Sequence, residues 1–198
     1  MRILFLQLPL LEPDISSAAE NIPVAALYLR HALVRAGIQA ECVLHDAAWD
    51  PLADTTLADA IAAHAPDLIC ATIYCWNVER TLRIARLVRR RVPRCRWVGG
   101  GPEVAADHPF LFAKNPFDAL VCGEGEAVFP AIVSAFAARC RPDFTTVAVR
   151  TGTGWTWGAR TPDAVELAAA LPPAGSCECM PDANGLAVVE SVRGCPMR

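Results

Sequence analysis

The sequence predicts an α/β fold built on a doubly wound sheet of five parallel strands. Two observations predict it: short apolar runs, typical of strands covered on both faces, recur over residues 3–121, and segments with helical periodicity separate them. The composition agrees, because 198 residues that are 54% hydrophobic and 20% charged can bury one good core. We therefore expect a globular chain.

The order of the elements follows from apolar runs, capping residues and chain breakers. The first strand is expected at residues 3–8, followed by a loop to Asn21, which can cap a helix that begins at Ile22-Pro23 and closes at Gly37. Strands are then expected at 40–44, 68–74, 96–98 and 117–121, and helices at 55–64, 78–92 and 127–140.

The pattern changes after Pro142. Residues 146–150 and 155–157 alternate in period two around Thr151-Gly152-Thr153-Gly154, which predicts a β-hairpin. Prolines and glycines then mark an irregular linker, and residues 186–192 are again typical of a strand. We expect three parts, at 1–142, 143–185 and 186–198.

Charge and cysteine usage limit the possible partners and compartment. A net charge of −3 gives no global attraction to nucleic acid or to an anionic membrane surface. No window approaches the about 18 apolar residues that a membrane span requires, and Gln7 and Pro9 interrupt the apolar N-terminus. The nine cysteines are scattered and mostly lie in apolar runs, which indicates reduced thiols and a cytoplasmic protein.

A glycine-rich motif follows the fourth expected strand. In Arg96-Trp97-Val98-Gly99-Gly100-Gly101-Pro102-Glu103 an apolar run breaks directly into three glycines, a proline and an acid. Glycines allow close approach to the backbone, and ligands of doubly wound sheets lie at the carboxyl ends of the strands. A tight strand-to-helix turn is the alternative, but one glycine would serve it. The motif therefore predicts a ligand site.

Two further loops are expected at the same edge of the sheet. Tyr74, Trp76 and Asn77 follow the third strand, and Gly123-Glu124-Gly125-Glu126 follows the fifth. They lie beside the switch point expected between the first and third strands. An aromatic pair and open backbone suit a large flat ligand, although ordinary core packing explains each aromatic residue equally well.

Two other binding hypotheses are weaker. A dinucleotide fingerprint belongs after the first strand and needs a third glycine, whereas Val128 occupies that place after Gly123-Glu124-Gly125. An arginine stripe on the helix at 78–92, made of Arg80, Arg83, Arg86 and Arg90, could bind phosphate. In an acidic protein a solvated helix face is the better interpretation.

The last ten residues resemble a known family. Val189-Glu190-Ser191-Val192-Arg193-Gly194-Cys195-Pro196-Met197-Arg198 is similar to the first strand of a radical SAM barrel, where R-G-C-P opens the pattern C-x-x-x-C-x-x-C. In that family the three cysteines hold a [4Fe-4S] cluster. The resemblance implies that Cys195 is the first cluster ligand. The sequence ends one residue before the second cysteine position.

Residues 1–140 resemble the cobalamin-binding domain that precedes this barrel in cobalamin-dependent radical SAM proteins, a Rossmann-like, flavodoxin-like fold. The matching motifs are Asn21-Ile22-Pro23 with Leu27-Tyr28-Leu29-Arg30 and Ala36-Gly37, Tyr74-Cys75-Trp76-Asn77, Val98 to Glu103, and Phe117 to Val121 with Gly123 to Glu126. The resemblance implies that cobalamin, vitamin B12, is bound by Pro9, Asn21, Ile22, Tyr74, Trp76, Asn77, Gly99, Gly100, Gly101, Pro102, Glu103, Gly123, Glu124, Gly125 and Glu126.

The chain departs from other cobalamin domains in one respect. Their D-x-H-x-x-G loop supplies a histidine to cobalt. This chain has Asp14 at the position of the aspartate but Ser16 at the position of the histidine. The four histidines, His31, His45, His64 and His108, lie elsewhere, so we expect no histidine ligand.

The resemblance also implies a function. The chain would be the cobalamin-binding part of a radical SAM methyltransferase that uses S-adenosylmethionine and a [4Fe-4S] cluster and acts on an unactivated carbon or phosphorus. Its catalytic barrel would be missing, so this chain alone would have no activity. The alternative is a cofactor-free domain that shields the barrel or recruits a partner.

Overall fold

The structure is a computed structural model that describes residues 1–10, 21, 23–113, 115–152 and 154–166. Its strands are β1 (Arg2–Gln7), β2 (Glu41–Leu44), β3 (Leu68–Thr72), β4 (Arg96–Gly100), β5 (Ala119–Val121), β6 (Val147–Thr151) and β7 (Gly154–Trp157). Its α-helices are α1 (Val24–Arg35), α2 (Asp54–Ala63), α3 (Val78–Arg91) and α4 (Phe129–Ala137), with a short 3-10 turn at Ala47–Trp49. Each predicted helix and strand within these residues is present, with ends shifted by a few positions.

The strands form one sheet in the order β2-β1-β3-β4-β5-β6-β7. The first five strands are parallel, and β1 lies between β2 and β3, so the chain reverses its direction of winding beside β1. The doubly wound parallel fold is therefore confirmed. The switch point lies between β1 and β3, as expected.

The hairpin continues the same sheet. Strand β6 pairs antiparallel with β5, with Ala119 opposite Val149 and Val121 opposite Val147, and β7 pairs antiparallel with β6. The boundary expected after residue 142 thus falls between two strands of one sheet. The linker and the strand expected at 186–192 lie outside the described residues.

Alternating side chains of the buried strands supply two cores. Leu4 and Leu6 of β1 belong to the core under α2 and α3, whereas Ile3 and Phe5 belong to the core under α1 and α4. All four are at most 2% exposed. Helices on both faces of a parallel sheet therefore explain why these strands are continuously apolar.

One local expectation is wrong. Asn21 does not cap α1: the N-cap position is Pro23, and it makes no side-chain capping hydrogen bond. The crossover between β4 and β5 contains turns and bends rather than a helix in its described residues, and it covers the sheet with Val104, Leu111 and Phe117.

Two arginines of the α3 stripe, and one arginine outside it, pair with carboxylates of α2. Arg80 and Arg83 pair with Asp54, at 3.0 and 3.1 Å, and Arg91 pairs with Asp59. These contacts join the two helices and give Arg80 and Arg83 a structural role. No described helix is long and apolar enough to cross a membrane.

Candidate functional site

The candidate site lies at the carboxyl edge of the sheet, where β3, β4 and β5 end. Asn77 organises the first of its loops. Its amide nitrogen donates to the carbonyls of Leu8, at 3.0 Å, and Thr72, at 3.1 Å, while its oxygen accepts from the Tyr74 N–H at 2.9 Å. Asn77 is 1% exposed, and these three hydrogen bonds occupy its side-chain amide, so it holds the loop; its expected contact with the cofactor stays a prediction.

Tyr74 and Trp76 form the aromatic part of the edge. Their rings stack with centroids 4.3 Å apart and planes 6° apart. Trp76 is 48% exposed, whereas Tyr74 is partly buried, and burial raises the pKa of its phenol. Core packing, the alternative left open for both residues, is therefore wrong for Trp76.

The three glycines of the motif differ in whether a side chain could be accommodated at their positions. A Cβ on Gly99 would lie 2.8 Å from Ile73 Cδ1 and 2.9 Å from Leu120 Cδ2, so this glycine leaves room for two fully buried side chains. Gly101 has φ +122°, and its Cβ would lie 2.6 Å from the Ile73 carbonyl oxygen. Gly100 has neither constraint, since its nearest neighbour would be Val121 Cβ at 3.9 Å.

The motif also differs from the expected turn. Gly99 and Gly100 are the last two residues of β4 and pair with Ala71 and Thr72 of β3. Packing and backbone conformation account for Gly99 and Gly101, and Gly100 is left as the open position of the motif.

Glu103 ends the motif and contacts a histidine that the sequence did not indicate. His108 Nε2 lies 3.1 Å from Glu103 Oε1, and its Nδ1 accepts the N–H groups of Phe110 and Leu111. The two lie five positions apart in an irregular loop, and no periodicity could have paired them. Pro102 is exposed beside Gly101.

The loop after β5 begins α4. Gly123 is exposed with φ +85°, and Glu124 beside it is also exposed. A Cβ on Gly125 would lie 3.1 Å from Leu29 Cδ2, so this glycine lets α1 approach. Its carbonyl accepts the Phe129 N–H at 2.8 Å, while Glu126 is half-buried.

A polar cluster borders the edge near β1. Asn21 donates to the Gln7 carbonyl at 2.8 Å and accepts from the Gln7 amide at 2.9 Å. Beyond β2, His45 Nε2 lies 2.5 Å from Asp50 Oδ1, with both side chains buried. Pro9 is half-buried at this end of the sheet, whereas Ile22 and Cys195 lie outside the described residues.

Clefts on the protein surface lie at the opposite, amino edge of the strands. One of about 730 Å³ is lined by Arg89, Arg96 and Asp118 among others. Both arginines pair with the Asp118 carboxylate, and Arg89 also donates to the Pro116 carbonyl at 2.5 Å. These three charged groups therefore join strands and helices of the protein itself.

Comparison with known proteins decides the family. The family model of the B12 binding domain matches residues 15–133, which is more than half of the chain. The chain belongs to the B12-binding domain family. The family that was predicted from the sequence motifs is thereby confirmed.

Two curated relatives of this B12-binding domain are methyltransferases. This chain is 40% identical over 92 residues to the 2-(S-pantetheinyl)-carbapenam-3-carboxylate methyltransferase of Streptantibioticus cattleyicolor. It is 37% identical over 92 residues to the cobalamin-dependent radical SAM methyltransferase TokK of Streptomyces tokunonensis. Each match covers 44% of this chain and 13% of the relative.

Solved structures share the fold. The cobalamin-dependent S-adenosylmethionine radical enzyme OxsB, with aqua-cobalamin and S-adenosylmethionine bound, superimposes with a TM-score of 0.60 and 12% identity, covering 83% of this chain and 22% of OxsB. OxsB with aqua-cobalamin alone gives a TM-score of 0.58 and 11% identity, covering 81% and 22%.

Proposed function

We propose that this chain binds cobalamin at the carboxyl edge of its sheet and carries it for a radical SAM methyltransferase. Membership of the B12-binding domain family supports the cofactor. The two methyltransferase relatives support the reaction. Because the matched region is 13% of each relative, the barrel and its chemistry would belong to a further part of the protein.

The observation that carries the proposal is the open position at Gly100. Packing explains Gly99, and backbone conformation explains Gly101, but nothing within the described protein requires a glycine at residue 100. A missing side chain there is explained if a ligand approaches the backbone closely.

The surroundings of Gly100 fit a large flat ligand with polar side groups. Tyr74 and Trp76 offer an apolar ring surface, and Glu103 offers a partly exposed carboxylate. Gly123 and Glu124 provide an exposed, polar backbone segment after β5. Ligand sites commonly combine apolar walls with a few such orienting groups.

Bound cobalamin would act as a carrier of the methyl group that is transferred to an unactivated carbon or phosphorus. The residues of this chain would orient the cofactor and keep water from one of its faces.

We propose that the iron-sulfur cluster is bound by Cys195 and two further cysteines of the barrel, and that this chain alone does not cleave S-adenosylmethionine. The six described cysteines are free thiols, which supports a reducing, cytoplasmic location.

Titration of the chain with hydroxocobalamin, followed by its visible absorption and by calorimetry, tests the proposal. Gly100→Leu should place a bulky side chain in the site and weaken binding at least about 10-fold, which corresponds to about 1.4 kcal/mol. Gly154→Leu is the matched control, because nothing lies within 4 Å of its Cβ position and it is on β7.

The possible outcomes separate the hypotheses. Weaker binding by Gly100→Leu alone, with unchanged unfolding temperature, supports the site. Equal binding by both variants contradicts the position of the site. No binding by the wild-type chain contradicts the proposed function and leaves the cofactor-free shielding domain.

A further inference from the structure

His108 is held in one orientation by both of its ring nitrogens. Nδ1 accepts the backbone N–H groups of Phe110, at 3.3 Å, and Leu111, at 3.2 Å. An accepting nitrogen carries no proton, so the ring proton lies on Nε2, which donates to Glu103 Oε1 at 3.1 Å. The side chain is 10% exposed. The imidazole is thus a largely buried, directed donor to one carboxylate oxygen.

Glu103 is fixed against the end of β3 from the other side. Its N–H donates to the carbonyl of Ile73 at 3.3 Å, and Ile73 directly precedes Tyr74. The Glu103 side chain is 33% exposed, and its second oxygen, Oε2, has no hydrogen-bond partner among the described residues. One carboxylate oxygen is therefore committed to His108, and the other is accessible at the edge of the sheet.

We propose that His108 is a positioning residue that orients the Glu103 carboxylate, so that Oε2 accepts a hydrogen bond from a primary amide on the rim of bound cobalamin. This inference rests on the proposed function. An ionised carboxylate only accepts hydrogen bonds, and the edge of the corrin ring carries amide groups that donate them. A carboxylate held in advance loses less conformational entropy on binding than a free one.

Two substitutions of His108 separate its two contacts. His108→Asn places an amide oxygen near the position of Nδ1, so it keeps the acceptor for the Phe110 and Leu111 N–H groups but loses the donor to Glu103. His108→Gln reaches the position of Nε2 with an amide donor and restores the contact with Glu103. Thermal unfolding of each variant reports whether the loop is intact.

The expected result is a coupled loss of affinity for hydroxocobalamin, measured by calorimetry on the full chain. His108→Asn and Glu103→Ala should each raise the Kd about 10-fold, since a hydrogen bond to a charged group is lost or misplaced. His108→Gln should bind within about threefold of wild type. The double variant His108→Asn/Glu103→Ala should bind like Glu103→Ala, because His108 acts through the carboxylate.

The failures of the two proposals are distinguishable. If the wild-type chain binds hydroxocobalamin but His108→Asn leaves the Kd unchanged, or raises it equally with and without Glu103, the positioning role is overturned and the proposed function stands. An effect of His108→Asn that His108→Gln does not rescue also overturns the positioning role. If the wild-type chain does not bind, both are overturned.

Discussion

The rings of Tyr74 and Trp76 stack with only 6° between their planes and 4.3 Å between their centroids. A hydrogen-bonded turn produces this arrangement, since the N–H groups of Asn77 and Val78 both donate to the Tyr74 carbonyl at 3.1 Å. The chain therefore turns just after β3 and brings residues 74 and 76 to the same side. One face of an indole is left exposed at the edge of the sheet.

Removal of this exposed ring should weaken cofactor binding more than it weakens the fold. Trp76→Ala is expected to raise the Kd for hydroxocobalamin about 10-fold, because an apolar ring surface is lost from the proposed site. The free energy of unfolding should change by less than about 1 kcal/mol, since the ring is 48% exposed. Calorimetry and urea unfolding measure the two effects.

A second exposed tryptophan provides the control. Trp157 on β7 is 37% exposed and stacks on Phe112 at 5.7 Å, but it lies on the hairpin. Trp157→Ala should leave the Kd unchanged. Equal loss of affinity in the two variants would show that the effect of Trp76 is not local.

Asn77 should contribute to the stability of the fold. Asn77→Ala leaves the carbonyls of Leu8 and Thr72 and the N–H of Tyr74 without their partner, in a position that is 1% exposed. We expect a loss of about 2–4 kcal/mol in the free energy of unfolding, from several unsatisfied buried groups. Urea unfolding measures it, and a loss below about 1 kcal/mol would contradict the role.

The motif glycines should differ in their tolerance of alanine. Gly101→Ala combines φ +122° with a Cβ that lies 2.6 Å from a backbone oxygen, so we expect it to cost about 2 kcal/mol or more. Gly100→Ala meets nothing closer than 3.9 Å and should cost less than about 1 kcal/mol. Thermal and urea unfolding of the two variants compare them directly. Similar losses would mean that the backbone around Gly100 is as constrained as that around Gly101.

Cysteine reactivity should follow burial. Burial raises the pKa of the Cys95 thiol to about 12 and raises that of Cys70 well above its usual value, whereas Cys75 and Cys140 are exposed. Because the thiolate is the reactive form, iodoacetamide at pH 8 should modify Cys75 and Cys140 and leave the other two unmodified. Peptide mass spectrometry checks this, with denatured protein as the control. Rapid modification of native Cys95 would contradict its burial.

The same raised pKa predicts a loss of stability at alkaline pH. Between the usual thiol pKa of 9.0 and about 12, folded Cys95 keeps a proton that the unfolded chain releases. The unfolded state then binds fewer protons, so the free energy of unfolding should fall as the pH rises through this range. Cys95→Ala should reduce this slope in urea unfolding, and an unchanged slope would assign it to other groups.

Bound cobalamin should have no histidine nitrogen on cobalt. His108 uses both ring nitrogens within the protein, and His45 is buried against Asp50. Electron paramagnetic resonance of the Co(II) form should therefore show no nitrogen splitting from a histidine. Cobinamide, which lacks the cofactor's own lower base, is the decisive ligand: a threefold nitrogen splitting in its complex would contradict the prediction.

The sequence by itself determined the fold and the edge of the sheet at which the candidate site is proposed. Apolar runs that are long enough for buried strands, separated by amphipathic segments, predict parallel strands with helices on both faces, and the parallel arrangement brings the loops after β3, β4 and β5 to one edge. These patterns of composition and periodicity are local in the sequence, so they can be recognised without the tertiary structure. The motifs were sufficient to recognise a B12-binding domain.

The tertiary structure alone decided what each residue of that edge does. Gly99, Gly100 and Gly101 are identical in sequence, and only the positions of Ile73 and Leu120 show that one is open and the others are constrained. Asn77 is polar in a loop, but its amide donates to the carbonyl of Leu8, which directly follows β1 and lies 69 residues earlier. Such roles depend on atoms brought together from distant parts of the chain, and no spacing along the sequence contains those distances.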